Sequence, residues 1–395
     1  MKRILFVHHV SSIGGASYCL LNLLKTIDRN KFEPLVLLKN YGPLVDELEK
    51  LKIRVIYISS LNQIPYNGSL FKLLNIILYF KVFLSLFSFK KLLIREKIDI
   101  VYLNNMMIIP YLIPARKALC KTIVHVREHW PLNEHIKQLR WLRNIVYKYC
   151  DSLVAINKYS ASIFPQKKSI IIYDWIDMNE RYKPISMNEV LEEDCTDKKV
   201  LLYTGGMDSA KGIEDILKSF VTTIEGSEYR LLILGKRTLI SFGWKHVLKS
   251  ILEKLIGYKY RGKEIQKLIN SDSRIRCIPS IYELTDLIKQ SHCFVSYFAM
   301  PHANLALAEN IILNNPCIVA DNEEAKEYTN NGEYAMLVSP NNYKEFSLRL
   351  NDFLLNIDYW KNAACRGSIP IAEMFDKEIN SLKFKNLLDM FIENN

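Results

Sequence analysis

No C-x-x-C pair occurs among the eight cysteines (Cys19, Cys120, Cys150, Cys195, Cys277, Cys293, Cys317 and Cys365), and no histidine stands at metal-ligand spacing from them. Their single, scattered placement excludes a zinc site and a disulfide framework, and predicts buried thiols in a reducing compartment. Long hydrophobic runs are also missing: the most apolar stretch, residues 70–95, is broken by Lys72 and Lys81. It therefore falls short of the ~20 uncharged residues needed to cross a bilayer. The opening apolar run, Ile4 to Val7 behind Met1-Lys2-Arg3, ends at His8-His9 after four residues. That is too short for the core of a signal peptide, so the mature protein is expected to begin here and to work in the cytoplasm. There is no G-x-G-x-x-G, no tandem repeat, and no aromatic-basic module among lysines and arginines dispersed along the whole chain. Nucleic acid is accordingly set aside as a partner.

What remains is a chain of 395 residues, 49% hydrophobic and 24% charged, the balance of a packed protein long enough for two domains. The formal net charge of +11 comes from 53 Lys plus Arg against 42 Asp plus Glu. It suits an anionic partner such as nucleotide phosphates or acidic lipid heads without choosing between them.

Short apolar runs alternate with helix-like segments, as the βαβ units of a parallel sheet require. Strands are predicted at 4–7, 34–38, 55–58, 98–103, 122–126, 153–156 and 169–172. After the acidic Glu192-Glu193-Asp194 the alternation restarts, with strands at 199–204, 229–234, 275–278, 293–297 and 317–320. The expected organisation is an α/β domain over 1–175, a linker over 176–198, a second α/β domain over 199–375, and a tail helix over 376–395. Apolar positions Ile379, Leu382, Phe384, Leu387, Leu388 and Phe391 would return that helix to the first domain. In 70–95, Lys81, Ser85 and Ser88 fall on one side of a helical wheel and Lys72, Asn75 and Lys90 on another, leaving no clean polar face. Two readings stay open: a core helix over a sheet, or an interfacial anchor on an anionic membrane, helped by Arg116, Lys117, Lys121, Arg140 and Arg143.

Three segments carry chemistry. Gly14-Gly15 stands at a strand-to-helix turn, where backbone N–H groups can approach an anion. Gly205-Gly206 ends the strand that opens the second domain, and Lys211 follows at a helix start, where the dipole gives a lysine no intrinsic reason to sit. Glu309 lies in an otherwise apolar helix preceded by His302, Asn304, Leu305 and Ala306. A carboxylate there needs partners, and the hydroxyls of a ribose would serve. A fourth segment, His125-Val126-Arg127-Glu128-His129, gathers titratable groups at a strand end, where open α/β sheets hold ligands, although neighbouring Arg127 and Glu128 could simply pair with one another.

This pattern resembles the family 4 (group 1) glycosyltransferases over nearly the whole chain. The family's G-x-x-x-x-x-K-G motif is matched by Gly205 to Gly212. Its E-x7-E element ends on Glu309, ahead of the strand written here Asn315-Pro316-Cys317-Ile318-Val319-Ala320. Glu327 and Gly332 to Val338 resemble the section that follows. The resemblance implies the GT-B architecture, two Rossmann-like domains with parallel sheets facing an interdomain cleft. It implies retaining, metal-independent transfer of a sugar from a nucleoside diphosphate sugar, without a further cofactor. Gly14, Gly15, Gly205, Gly206, Lys211, His302, Asn304, Leu305, Ala306 and Glu309 would then bind the donor, with Lys211, Glu309, His125 and Arg127 catalytic. The acceptor would be a saccharide or a lipid-linked one in bacterial surface polysaccharide synthesis, at the inner face of the cell membrane. The sequence departs from the family where its first glutamate falls on Pro301 and its usual arginine on Gly206, which puts the sugar's identity in doubt; His302 or Arg237 could compensate. A nucleotide-sugar epimerase on the same scaffold and a non-catalytic nucleotide-sugar-binding protein stay open as alternatives.

Overall fold

The structure, a computed structural model, describes residues 1–66, 73–130, 135–178, 180, 182–207, 211–235, 262–281, 283–298, 300 and 303–393. It divides into two units, Met1–Trp175 with Asp376–Asn395, and Ile176–Phe375.

The first unit is built on a seven-stranded sheet of β1 (Lys2–Val7), β2 (Phe32–Leu38), β3 (Arg54–Tyr57), β4 (Ile100–Leu103), β5 (Lys121–Val126), β6 (Ser152–Ala155) and β7 (Ser169–Ile171). Their spatial order is β3-β2-β1-β4-β5-β6-β7, with every pairing parallel. Strands alternate sides at each residue. Ile4, Phe6, Val36, Leu38, Ile100 and Tyr102 thus fill one face, and Leu5, Val7, Leu35, Leu37, Val101 and Leu103 the other. Both faces are covered, which is why the strands read as unbroken apolar runs.

The second unit repeats the plan with β8 (Lys199–Tyr203), β9 (Tyr229–Leu234), β10 (Ile275–Ile278), β11 (Cys293–Ser296), β12 (Cys317–Ala320) and β13 (Met336–Val338). The order is β10-β9-β8-β11-β12-β13, again parallel throughout. In each sheet the strand order reverses direction once, between β1 and β4 and between β8 and β11. Loops leave such a pair toward opposite sides and open a crevice at the carboxyl ends.

Four sequence readings change on contact with the structure. Residues 176–198 group with the second unit and contain the short helix Met187–Leu191. In their acidic stretch Glu193 pairs with Arg230 of β9, and the exposed Glu192 with Arg276 of β10. In the tail helix Lys377–Glu393, Phe384, Leu387, Leu388 and Phe391 pack into the core with Ile4 and Phe6, whereas Ile379 and Leu382 face solvent. Of the eight cysteines, Cys195 and Cys277 are half-buried and Cys365 is exposed, the other five being buried. In 70–95 the structure describes a helix, Leu73–Arg95, that is core on one side only. It buries Val82, Phe89, Leu92 and Leu93, together with the polar Asn75 and Ser85, and exposes apolar residues on its opposite side. Ser85 is satisfied inside by Val82 O and by the Tyr111 hydroxyl, which explains why the wheel showed no polar face. No helix among the described residues is long and apolar enough to cross a membrane.

Candidate functional site

In the second unit the switch point brings two of the sequence-marked segments to one edge. Beyond β8 the chain turns through Gly205 and Gly206, the latter at φ +70°, in the left-handed region that glycine tolerates. A Cβ on Gly206 would stand 3.3 Å from the carbonyl oxygen of Gly235, itself at φ +113° and following β9. The two glycine backbones therefore nearly touch. This is the position where the related pattern has an arginine, and here the backbone itself disfavours any side chain. Lys211 follows; its carbonyl accepts the Tyr203 hydroxyl at 3.0 Å, and its Nζ lies 5.3 Å from the centre of the Phe298 ring. Gly212, at φ +73°, starts the helix Ile213–Thr223 hard against β11, since a Cβ there would meet Tyr297 O at 2.1 Å. That contact holds the lysine at the end of β11.

The Phe298 ring also lines an open pocket with Ser296, Asn304, Val319, Ala320, Asn322, Glu324 and Ala325. Asn304 caps the helix Leu305–Ile312, accepting the Leu307 N–H at 3.3 Å and donating to Ser296 Oγ at 3.3 Å. Asn322 does the same for the helix Glu323–Tyr328, accepting from Ala325 N at 2.9 Å and donating to Phe298 O at 3.1 Å. Two helix N-termini, with their free N–H groups and positive dipole ends, thus flank one pocket at the carboxyl ends of β11 and β12. Leu305 and Ala306 form the first turn beyond Asn304, and Glu309 lies on the buried side of the same helix. Asn322 and the buried Glu324 were not singled out from the sequence, although an asparagine between a strand and a helix start is a capping signal. Pro301, His302 and Arg237 lie outside the described residues.

The first unit has its own polar cluster, and it differs from the one expected. Arg127 does not pair with Glu128: its Nη1 donates to both oxygens of Asp174 at 2.7 Å, with both side chains nearly inaccessible. Burial opposes the guanidinium's charge, but the Asp174 carboxylate more than offsets it and holds the arginine protonated. Glu128 instead accepts the Met106 N–H at 2.8 Å and its neighbour's N–H at 3.3 Å, and burial pushes its carboxyl up to about 7. His125 is fully buried beside Tyr102, whose hydroxyl lies 2.7 Å from its Nδ1, and burial followed by the Arg127 charge drives its pKa well down. His125 and Arg127, expected to be catalytic, lie at the end of β5 with their side chains buried.

The direction of the remaining hydrogen bonds follows from chemistry. A guanidinium only donates, so Arg127 Nε gives its proton to Asn104 Oδ1 at 2.8 Å. The Asn104 amide then donates to His8 Nδ1 at 3.1 Å, His8 Nε2 to Ser17 Oγ at 3.2 Å, and Ser17 to the Ser12 carbonyl at 2.8 Å. The chain runs from the buried ion pair to the exposed turn that carries Gly14 and Gly15, beyond whose Cβ positions nothing stands within 4 Å. Beside it Asn105 Nδ2 meets His9 Nδ1 at 3.0 Å. Burial, reinforced for His8 by the neighbouring His9 and Arg127, lowers His8 to about 3, and burial alone lowers His9 to about 4, so both rings are neutral near pH 7. Sequence reading passed over His8, His9, Asn104, Asn105 and Asp174; the histidine pair ending β1 was noticed only as the stop of an apolar run.

Residues 192–364 match the family model of glycosyl transferases group 1. The whole chain is similar to solved structures of low identity. The HepE protein of Anabaena in complex with UDP-glucose is 17% identical, with 99% of this chain and 100% of that one covered and a TM-score of 0.73. Sucrose-phosphate synthase from Thermosynechococcus elongatus is 13% identical, with 100% of both chains covered and a TM-score of 0.71. A glycosyltransferase from Rickettsia africae is 15% identical, with 100% and 99% covered and a TM-score of 0.69. No curated protein sequence matches the chain.

Proposed function

We propose that the chain is a group 1 glycosyltransferase, the family whose model residues 192–364 match, on two parallel sheets of the GT-B architecture, and that it moves a sugar from a nucleoside diphosphate sugar with retention of configuration. The observation that carries the donor class is the edge of the second sheet. There the Lys211 ammonium lies over the Phe298 ring, which lines a pocket flanked by two asparagine-capped helix N-termini. HepE was solved with UDP-glucose and has the same fold, which supports a uridine diphosphate sugar as the first donor to try.

The difficulty of the reaction is negative charge growing on the departing diphosphate. Lys211 and the N–H groups at Leu305 and Ala306 are suited to meet that charge without a metal, and Glu309 to hold the ribose hydroxyls. We assign the acceptor to the first unit and take it to be a saccharide or a lipid-linked saccharide of surface polysaccharide synthesis.

Lys211→Ala should lower turnover on an accepted donor by a factor of about 10² or more while the protein melts at an unchanged temperature. Near-normal turnover would overturn the assignment. Screening nucleotide sugars for protection against thermal unfolding identifies that donor, because stabilisation follows affinity.

A further inference from the structure

The helix Leu73–Arg95 is apolar on its exposed side as well as on its buried one. Ile76, Phe80, Phe83, Phe87 and Ile94 recur at helical spacing on its outer side, between 50% and 62% exposed, and Ile77 and Leu84 widen the stripe. Phe83 and Phe87 touch only edge to face, with ring centres 5.6 Å apart. The stripe extends sideways, because Tyr79 meets Trp141 of the neighbouring helix Ile136–Tyr149 at 6.0 Å, and Trp141 is itself exposed. At 1.5 Å per residue, an apolar row from 76 to 94 is roughly 27 Å long, far more than the scattered apolar residues an ordinary surface shows.

Charge says what covers it. Neither helix contains an aspartate or a glutamate. Lys81, Lys91 and Arg95 are exposed along one flank of the stripe, and Lys137, Arg140 and Lys148 on the neighbouring helix. A second copy of this face would set cation against cation, which opposes self-association. A surface of anionic headgroups over acyl chains satisfies both features, since aromatic rings enter the boundary while lysines reach the phosphates. No helix among the described residues is long and apolar enough to cross a bilayer, so a membrane contact here would be interfacial.

We propose that this face of the first unit docks on an anionic lipid bilayer, with the Phe80, Phe83 and Phe87 rings inserted and Lys81, Lys91 and Arg95 on the headgroups. The inference does not rest on the donor reading.

The test is co-sedimentation of the full chain with phosphatidylglycerol vesicles and with phosphatidylcholine vesicles, at low and high salt. Binding to the former that weakens with salt and exceeds binding to the latter is expected. Each lysine reversed to glutamate should lower the partition coefficient about fivefold or more, and Phe80→Ser, Phe83→Ser and Phe87→Ser roughly tenfold each. Thermal melting of the variants should match the parent, because these side chains are exposed. No binding to phosphatidylglycerol vesicles at low salt overturns the proposal. So does equal binding by the phenylalanine variants, or a dimer in sedimentation velocity that these variants abolish while vesicles are ignored. Donor protection of the unaltered chain in solution is measured separately, so failure here leaves that reading standing.

Discussion

Arg127, a residue chosen for chemistry, is held in the interior. Its guanidinium is spent on Asp174 and Asn104, and removing it would leave the Asp174 carboxylate buried without its counter-charge. Arg127→Met should therefore cost about 3–5 kcal/mol in urea denaturation, whereas Asp174→Asn together with Arg127→Met should recover part of that loss. Asn104→Leu interrupts the same chain one link later, leaving His8 Nδ1 without its donor, at about 1–3 kcal/mol. The sequence made Arg127 and Glu128 visible but not their partners. Asp174 lies 47 positions from Arg127, and a pairing across that separation is set by the sheet order, which local spacing does not encode. The glycines were more legible. At Gly206 and Gly212 the reason for the residue is backbone geometry, and a positive φ at a strand-to-helix turn leaves its mark on the chain as glycine itself.

At the scale of elements, the strands were readable because a doubly covered parallel strand is a short, uninterrupted apolar run with nothing to mimic it but a short buried helix. Amphipathic helices are read from contrast between faces, and contrast fails in both directions here. The tail helix Lys377–Glu393 mixes buried and exposed apolar positions, so the sequence credited Ile379 and Leu382 with core contacts they do not make. Phe384→Ala should cost about 3–5 kcal/mol, since the ring is enclosed between Tyr102 and the residues of β1. Leu382→Ala should stay within about 0.5 kcal/mol. Equal losses at the two positions in chemical denaturation would contradict the packing. In Leu73–Arg95 the failure is opposite: buried Asn75 and Ser85 and exposed phenylalanines blur the wheel, and a helix apolar on both sides does not reveal from its sequence which side is core.

For the molecule as a whole, the buried titratable groups fix how stability responds to pH. His8 is lowered to about 3, and His9 and His129 to about 4, in each case chiefly by burial; burial followed by the Arg127 charge lowers His125 as well. Between those values and the ordinary 6.5, the unfolded chain binds protons that the folded chain refuses, so stability is present above 6.5 and is lost as pH falls through that window. Glu128 works the other way. Its folded value of about 7 exceeds the ordinary 4.5, so the folded state holds the extra proton, and this contribution is full at low pH and is lost as pH rises from 4.5 to 7. Four histidines outweigh one carboxyl, and each fully engaged group changes stability by about 1.4 kcal/mol per pH unit. Urea midpoints measured from pH 7 down to pH 5 should therefore fall. His8→Gln should flatten the slope by close to one proton and Glu128→Gln should steepen it; parallel profiles for parent and both variants would show that these groups do not titrate as their burial requires.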